Sequence, residues 1–160
     1  MTLMPNVYTI GSLRNPEVPV IAEDLRKLGF SVFDDWYSAG PHADDSWRDH
    51  ERFKGHTVLD ALDGAAARHV FAFDKKHLDL ADCATLILPA GRSGHLELGY
   101  FVGTGKPGYI LMEGEPERYD VMYRFAEKVF FTRVDMYAYM KVRFSAGLEG
   151  AYRLPTKEVI

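Results

Sequence analysis

The chain has 160 residues and a mass of 18.1 kDa, with 47% hydrophobic and 26% charged residues; this is the composition of one ordinary globular domain, not of a disordered or fibrous chain. Nineteen Lys plus Arg against 23 Asp plus Glu leave a net charge of −4, so nothing in the charge draws the chain to a nucleic-acid polymer. A single Cys83, no basic-then-apolar leader and no apolar run near the ~18 residues of a membrane span lead us to expect one soluble, cytoplasmic domain over 1–160, without disulfide or cysteine-held zinc.

Asn6-Val7-Tyr8-Thr9-Ile10 is a β-prone run closed by Gly11 and predicts a first strand. Asn15-Pro16-Glu17 then carries the grammar of a helix start, and Val18, Ile21, Leu25 and Leu28 recur at helical spacing up to Gly29. Phe30 to Phe33 predicts a second strand that runs into Asp34, Asp35 and Trp36. The polar stretch from Tyr37 to Asp45 predicts an irregular loop. From Ser46 to Leu80 the pattern is helical, interrupted near Gly55, with Val58, Leu62, Ala66, Val70 and Phe73 on one apolar face. Ala84 to Leu88 is continuously apolar, as a strand buried on both faces is. A turn at Gly91-Arg92-Ser93-Gly94 leads into a helix over His95–Val102, and Tyr109–Met112 forms the fourth strand. A helix over Pro116–Lys128, a fifth strand over Val129–Phe131 and a last helix over Val134–Phe144 with a loose tail complete the reading. Strand and helix alternate throughout, which predicts an α/β fold of about five parallel strands with helices on both faces. Such sheets bind ligands beyond the carboxyl ends of their strands.

Two loops at those ends suit an anion. In Gly11-Ser12-Leu13-Arg14 the backbone N–H groups, a hydroxyl and a guanidinium converge at a helix start; the plain alternative is a tight turn with a surface arginine. Neither the Walker loop nor the dinucleotide fingerprint is present. Gly91-Arg92-Ser93-Gly94 repeats the composition ahead of a helix that is nearly apolar except at Glu97. Burying a lone carboxylate costs several kcal/mol unless it is paired, so Glu97 is a catalytic candidate; the alternative is a solvated residue or a structural partner of Arg92. Asp74, after an apolar helical run, could join it, whereas Asp82, at the amino end of the third strand, reads as a cap. Asp34, Asp35 and Trp36 offer acceptors and a ring for a ligand, or else a half-buried loop tryptophan. His42, Asp44, Asp45 and His50 cluster without ligand spacing, so neither metal nor cofactor is expected. Met136, Tyr137, Tyr139, Met140 and Phe144 exceed the needs of one helix face, either as a subunit contact or as ordinary core.

Val7 to Arg14, Asp74 ahead of Ala81-Asp82, Gly94-His95-Leu96-Glu97-Leu98-Gly99 and Gly105-Lys106-Pro107 together resemble the nucleoside 2-deoxyribosyltransferase family, which includes nucleoside 5'-monophosphate N-glycosidases. The resemblance runs from about Tyr8 to Phe125 and implies a flavodoxin-like, Rossmann-like sheet and cleavage of the bond between a (deoxy)ribose and a base. It implies Glu97 as the nucleophile, Asp74 as the acid beside the base and Tyr8 as their neighbour. It further implies a homodimer or larger homo-oligomer in which Asp120 reaches the 5' end of the sugar across the interface. Asp120 departs from the neutral residue expected of phosphate-binding members, while Ser12, Arg14, Arg92 and Ser93 favour a phosphate. The implied partner is thus a small nucleoside or nucleotide.

The chemistry fits the residues without the family. Breaking an N-glycosidic bond develops positive charge on the sugar, which a carboxylate stabilises or captures, and the departing base needs a proton. Water as acceptor makes a hydrolase, the reading put first here because Gly40-Pro41 suggests a flexible and leaky pocket wall; a second base makes a transferase. A non-catalytic nucleotide sensor and an enzyme cleaving the nicotinamide bond of NAD are the rival readings.

Overall fold

The computed structural model describes residues 5–145. Five parallel strands, β1 (Asn6–Ile10), β2 (Ser31–Phe33), β3 (Cys83–Ile87), β4 (Gly108–Leu111) and β5 (Lys128–Phe130), form one sheet in the order β2-β1-β3-β4-β5. The helices are α1 (Glu17–Lys27), α2 (Ala43–Phe53), α3 (Val58–Leu62), α4 (Ala65–Leu80), α5 (Arg92–Gly103) and α6 (Arg133–Ser145). This is the flavodoxin-like order of a doubly wound sheet, as the alternation of elements predicts.

Side chains alternate across the pleat, and each set meets its own helices. Val7, Cys83, Ile87, Tyr109 and Leu111 pack with Val18, Ile21 and Leu25 of α1 and Met136 and Met140 of α6. Tyr8, Ile10, Ala84, Leu86 and Ile110 face the opposite way, against Leu78 of α4 and Leu98 and Phe101 of α5. The register holds these layers together: Tyr8 lies opposite Phe33 and Ala84, Ile10 opposite Leu86, and Leu86 opposite Ile110. Each large apolar side chain removed fully from water in this way contributes roughly 1.5–3 kcal/mol. Asp82 accepts from the backbone N–H of Asn6 at 2.7 Å, which joins the amino ends of β1 and β3.

Several expectations need correction. The segment from Tyr37 to Asp45 is not irregular: a 3-10 helix covers Asp35–Ala39, and α2 begins at Ala43. Its backbone closes local turns, Tyr37 N–H to Asp34 C=O and Ala43 N–H to Gly40 C=O, that hydropathy does not mark. The long helical stretch is three helices, broken at Gly55, whose φ of +77° favours glycine, and again at Gly64; a Thr57–Asp60 capping box starts α3. The apolar face expected from Val58 to Phe73 is not buried: Val58 is 75% and Val70 56% exposed, because α3 and the first turns of α4 lie beyond the edge of the core. The helix expected over Pro116–Lys128 is only a 3-10 helix at Val121–Phe125, capped by the Asp120 carboxylate on the Met122 N–H at 2.8 Å. With Tyr119, Val121, Met122 and Phe125 all exposed, no buried face sustains a longer helix there. Finally, Met136 and Met140 are fully buried, and Tyr137, Tyr139 and Phe144 pack partly buried beside them, so these five residues of the last helix belong to the core of this chain. The tail expected after Phe144 lies, from residue 146 on, outside the described residues.

Candidate active site

Because β1 is followed by a helix on one face of the sheet and its neighbour β3 by a helix on the other, the two connections part at the carboxyl ends of these strands. A crevice at that point is a consequence of the topology. Here it is a cleft of about 180 Å³ lined by Ser12, Arg14 and Asn15 on one side and Pro89, Ala90 and Gly91 on the other. The two loops singled out in the sequence therefore face each other. Two glycines allow the close approach: a Cβ on Gly11 would meet Val18 at 2.8 Å and Trp36 at 3.7 Å, and one on Gly94 would meet Ile10 at 3.1 Å and Leu86 at 3.2 Å.

Three residues singled out in the sequence come together between β1, α4 and α5. Tyr8 projects from β1 toward α4 and α5, and its hydroxyl lies close enough to the Glu97 carboxylate on α5 for each to act on the other's proton. Asp74 on α4 is close enough for its charge to act on both. Burial, and then repulsion from Asp74, push the Glu97 carboxyl up from 4.5 to about 7, while the Tyr8 hydroxyl pulls the other way. Burial also raises Asp74, partly offset by His77 one turn along α4. The Tyr8 hydroxyl is pushed far up by burial first and then by the two carboxylates. Of the two carboxyl groups Asp74 has the His77 imidazole near it, whereas Glu97 meets no cation among the described residues, in a setting that lets it exchange a proton near neutral pH. Capture of a cationic centre, or proton transfer to a leaving group, is the chemistry such a pair can perform.

The Ser12 hydroxyl accepts from the Arg14 N–H at 3.1 Å, which leaves its own proton free to donate. Leu13 is half-buried in the turn. The Arg14 guanidinium reaches out to Asp45 of α2 at 2.5 Å, and Arg48 binds the other oxygen of that carboxylate at 2.7 Å. Arg92 and Ser93 are exposed in the first turn of α5 and do not line the cleft. Asp34 pairs with Arg26, Asp35 is exposed, and Trp36 donates its indole N–H to the Thr9 carbonyl at 2.8 Å. Trp36 thus packs over the end of β1 with its polar edge occupied. Asp120 is exposed on its own chain, where it caps the 3-10 helix. His42 and Asp44 are exposed, and among the described residues no group of three or more His, Cys, Asp or Glu is set to hold a metal ion. No helix among the described residues is long and apolar enough to cross a membrane.

Two features of the site escaped the sequence reading. Asn15, read there as a helix start, accepts the Glu17 N–H on its Oδ1 at 3.0 Å, but its Nδ2 has no partner although the residue is only 5% exposed. It lines the cleft, so an acceptor bound there would satisfy it. The second feature is an aromatic wall: Tyr8 packs on Phe33 with centroids 5.2 Å apart, and His77 stacks on the same ring at 4.0 Å and 8°. The spacing of Asp74 and His77, three residues on one helix, was the available signal; that Phe33 receives His77 is a tertiary fact.

No family model matches this sequence, and no curated protein does. Among solved structures, the fold is similar to a 2-deoxyribosyltransferase from the psychrotolerant bacterium Bacillus psychrosaccharolyticus, with a TM-score of 0.56 and 20% sequence identity over 84% of this chain and 95% of that one. At that identity the likeness is one of fold: this chain and a nucleoside-modifying enzyme share the doubly wound parallel sheet.

Proposed function

We propose that the chain breaks the N-glycosidic bond of a (deoxy)nucleoside or its 5'-monophosphate through a covalent intermediate on Glu97. The observation that carries this reading is the Tyr8–Asp74–Glu97 group, in which Glu97 sits beside a second carboxylate and meets no cation among the described residues. Ionised Glu97 attacks the anomeric carbon as the bond to the base breaks; the electron pair leaves with the base, which takes a proton from solvent while the Asp74 carboxylate, the charge that raises Glu97, accepts from the N–H groups of the base. Tyr8 holds the glutamate in one orientation. In the second half, a nucleophile attacks the same carbon, the bond to Glu97 breaks, and Asp74 takes up the incoming proton. Two displacements retain the configuration of the sugar.

A second base as that nucleophile is our preferred reading, a base exchange, and water is the competitor. The fold neighbour supports exchange, and the argument for a leaky wall is gone, since the segment around Gly40-Pro41 is helical on both sides. The unpartnered Asn15 amide, the free Ser12 hydroxyl and the Gly91 turn support a 5'-phosphate in the cleft, with Arg14 able to join if it leaves Asp45. Pairing of two copies also belongs to the proposal. The exposed Val58, Leu62, Val70 and Phe71 of α3 and α4, with Leu96 of α5, support a contact on that side of the sheet.

One experiment tests the reading. Nucleosides, their monophosphates and NAD are incubated with the protein, with and without an excess of a second free base, and the products are separated by chromatography. We expect a new nucleoside or nucleotide when the second base is present, and Asn15→Asp, which keeps the cap but reverses the donor, to raise the monophosphate KM about tenfold. No base released from any substrate would leave the sensor reading. Free sugar despite a second base would make the protein a hydrolase.

A further inference from the structure

We propose that His95 is a positioning residue: its imidazole fixes the Gly91 turn that walls the cleft, and ties that turn to the 3-10 helix at Val121–Phe125. His95 stands in the first turn of α5, with Nδ1 2.7 Å from the Gly91 carbonyl oxygen and Nε2 3.0 Å from the Tyr123 hydroxyl. A carbonyl can only accept, so Nδ1 carries the ring proton, and Nε2 of the neutral ring accepts from Tyr123. The two rings lie 5.7 Å apart and 21° from parallel. Both nitrogens are therefore committed, and the side chain joins segments 28 positions apart in sequence.

Gly91 has little else to hold it. It caps α5 without a side chain, its carbonyl receives the His95 backbone N–H only at a long 3.4 Å, and the space where a Cβ would stand is empty within 4 Å. The imidazole supplies the short bond that sets this peptide, and with it the direction of the following N–H groups. Gly91 faces Ser12 and Asn15 across the cleft, so a turn that swings loose widens the anion-facing gap without touching Tyr8, Asp74 or Glu97. On the other side, the Val121–Phe125 helix is held mainly by Tyr123 and the buried Ala126, while Val121, Met122 and Phe125 lie open to solvent. His95 is thus the link through which that segment acts on the cleft.

The inference rests on the cleft reading for its ligand but not for its first measurement, amide hydrogen exchange on the free protein. His95→Phe removes both bonds. His95→Asn keeps an amide donor at the place of Nδ1, and Tyr123→Phe removes only the second bond. We expect amides of residues 92–95 to exchange about tenfold faster in His95→Phe, near wild type in His95→Asn and in between in Tyr123→Phe. Titration with inorganic phosphate should follow the same order, with Kd about tenfold weaker in His95→Phe. In turnover of a monophosphate, KM should rise while kcat stays within about twofold. Unchanged exchange in His95→Phe, or no rescue by Asn, overturns the proposal. A loss in kcat alone would also overturn it, because it would move His95 into the chemistry. If exchange responds as expected but phosphate fails to bind even the wild type, the positioning role stands and the phosphate reading of the cleft falls.

Discussion

Two glutamates on opposite faces of the sheet show how surroundings divide structure from chemistry. Glu127 receives the Tyr109 hydroxyl at 3.1 Å, the Tyr139 hydroxyl at 2.9 Å and the Arg143 guanidinium at 3.1 Å, all on one oxygen. Its charge is matched, and it fastens α6 to β4 and β5. Glu97 also has a tyrosine, but its second neighbour is another carboxylate, and no cation answers it among the described residues. A matched carboxylate is glue, and an unmatched one is held at a free-energy cost that only function explains.

Breaking each glutamate sharpens the contrast, most of all in turnover. Glu97→Gln should lower base release by ~10³-fold or more, while Glu127→Gln leaves it within about twofold. Retained activity in Glu97→Gln would remove the nucleophile from its place. The next effect is on stability and runs the opposite way. The Glu97 carboxyl is raised from 4.5 to about 7, so between those values the folded state holds more protons than the unfolded one, and wild-type stability falls as pH rises. The cost is absent below about pH 4.5 and complete above about pH 7, at roughly 3 kcal/mol. Glu97→Gln should therefore melt higher than wild type at pH 8 and at nearly the same temperature at pH 4.5. Glu127→Gln should lose about 1–3 kcal/mol near neutral pH, because it weakens the bond to Arg143. Melting curves of both variants at the two pH values check this pair.

A smaller effect separates the causes of the Glu97 shift. If the ionised form attacks, kcat/KM rises with pH through about 7. Asp74→Asn removes the repelling charge but not the burial, which is the larger cause. The acid limb of the profile should then move part of the way back toward 4.5, alongside a fall in rate from the lost carboxylate. An unmoved limb would mean that Asp74 does not act on Glu97. The smallest effect concerns assembly: Phe71→Asp, on the exposed side of α4 and 67% open, should shift sedimentation toward a monomer. A wild type that is active as an 18.1 kDa monomer would dismiss the contact on this side of the sheet.

Much of the site was legible because it follows from local pattern. The apolar run from Ala84 to Leu88, the glycine-bearing turns after β1 and β3 and the lone acid in an apolar helix are all visible in the letters. Tyr8, Asp74 and Glu97 could be picked because each stands where period and strand end put it. Pattern failed where a charged or apolar side chain chose among partners far along the chain. Arg14 and Asp34 looked free for a ligand, yet they pair with Asp45 and Arg26. Asn15 looked like a cap, and only its burial reveals an amide without a partner. The helical rhythm from Val58 to Phe73 was correctly periodic, but periodicity says which residues share a face and not whether the face meets a core.

The sequence by itself determined the succession of the five strands, the parallel sheet and the two loops at its switch point, because hydrophobic period and turn chemistry act over a few residues. Tertiary structure alone decided that Asp74 lies close enough to raise the proton affinity of Glu97 and that His95 reaches Tyr123. It also decided which apolar faces remain open. Those outcomes depend on distances between separate elements, and burial and Coulomb energies follow such distances rather than spacing along the chain.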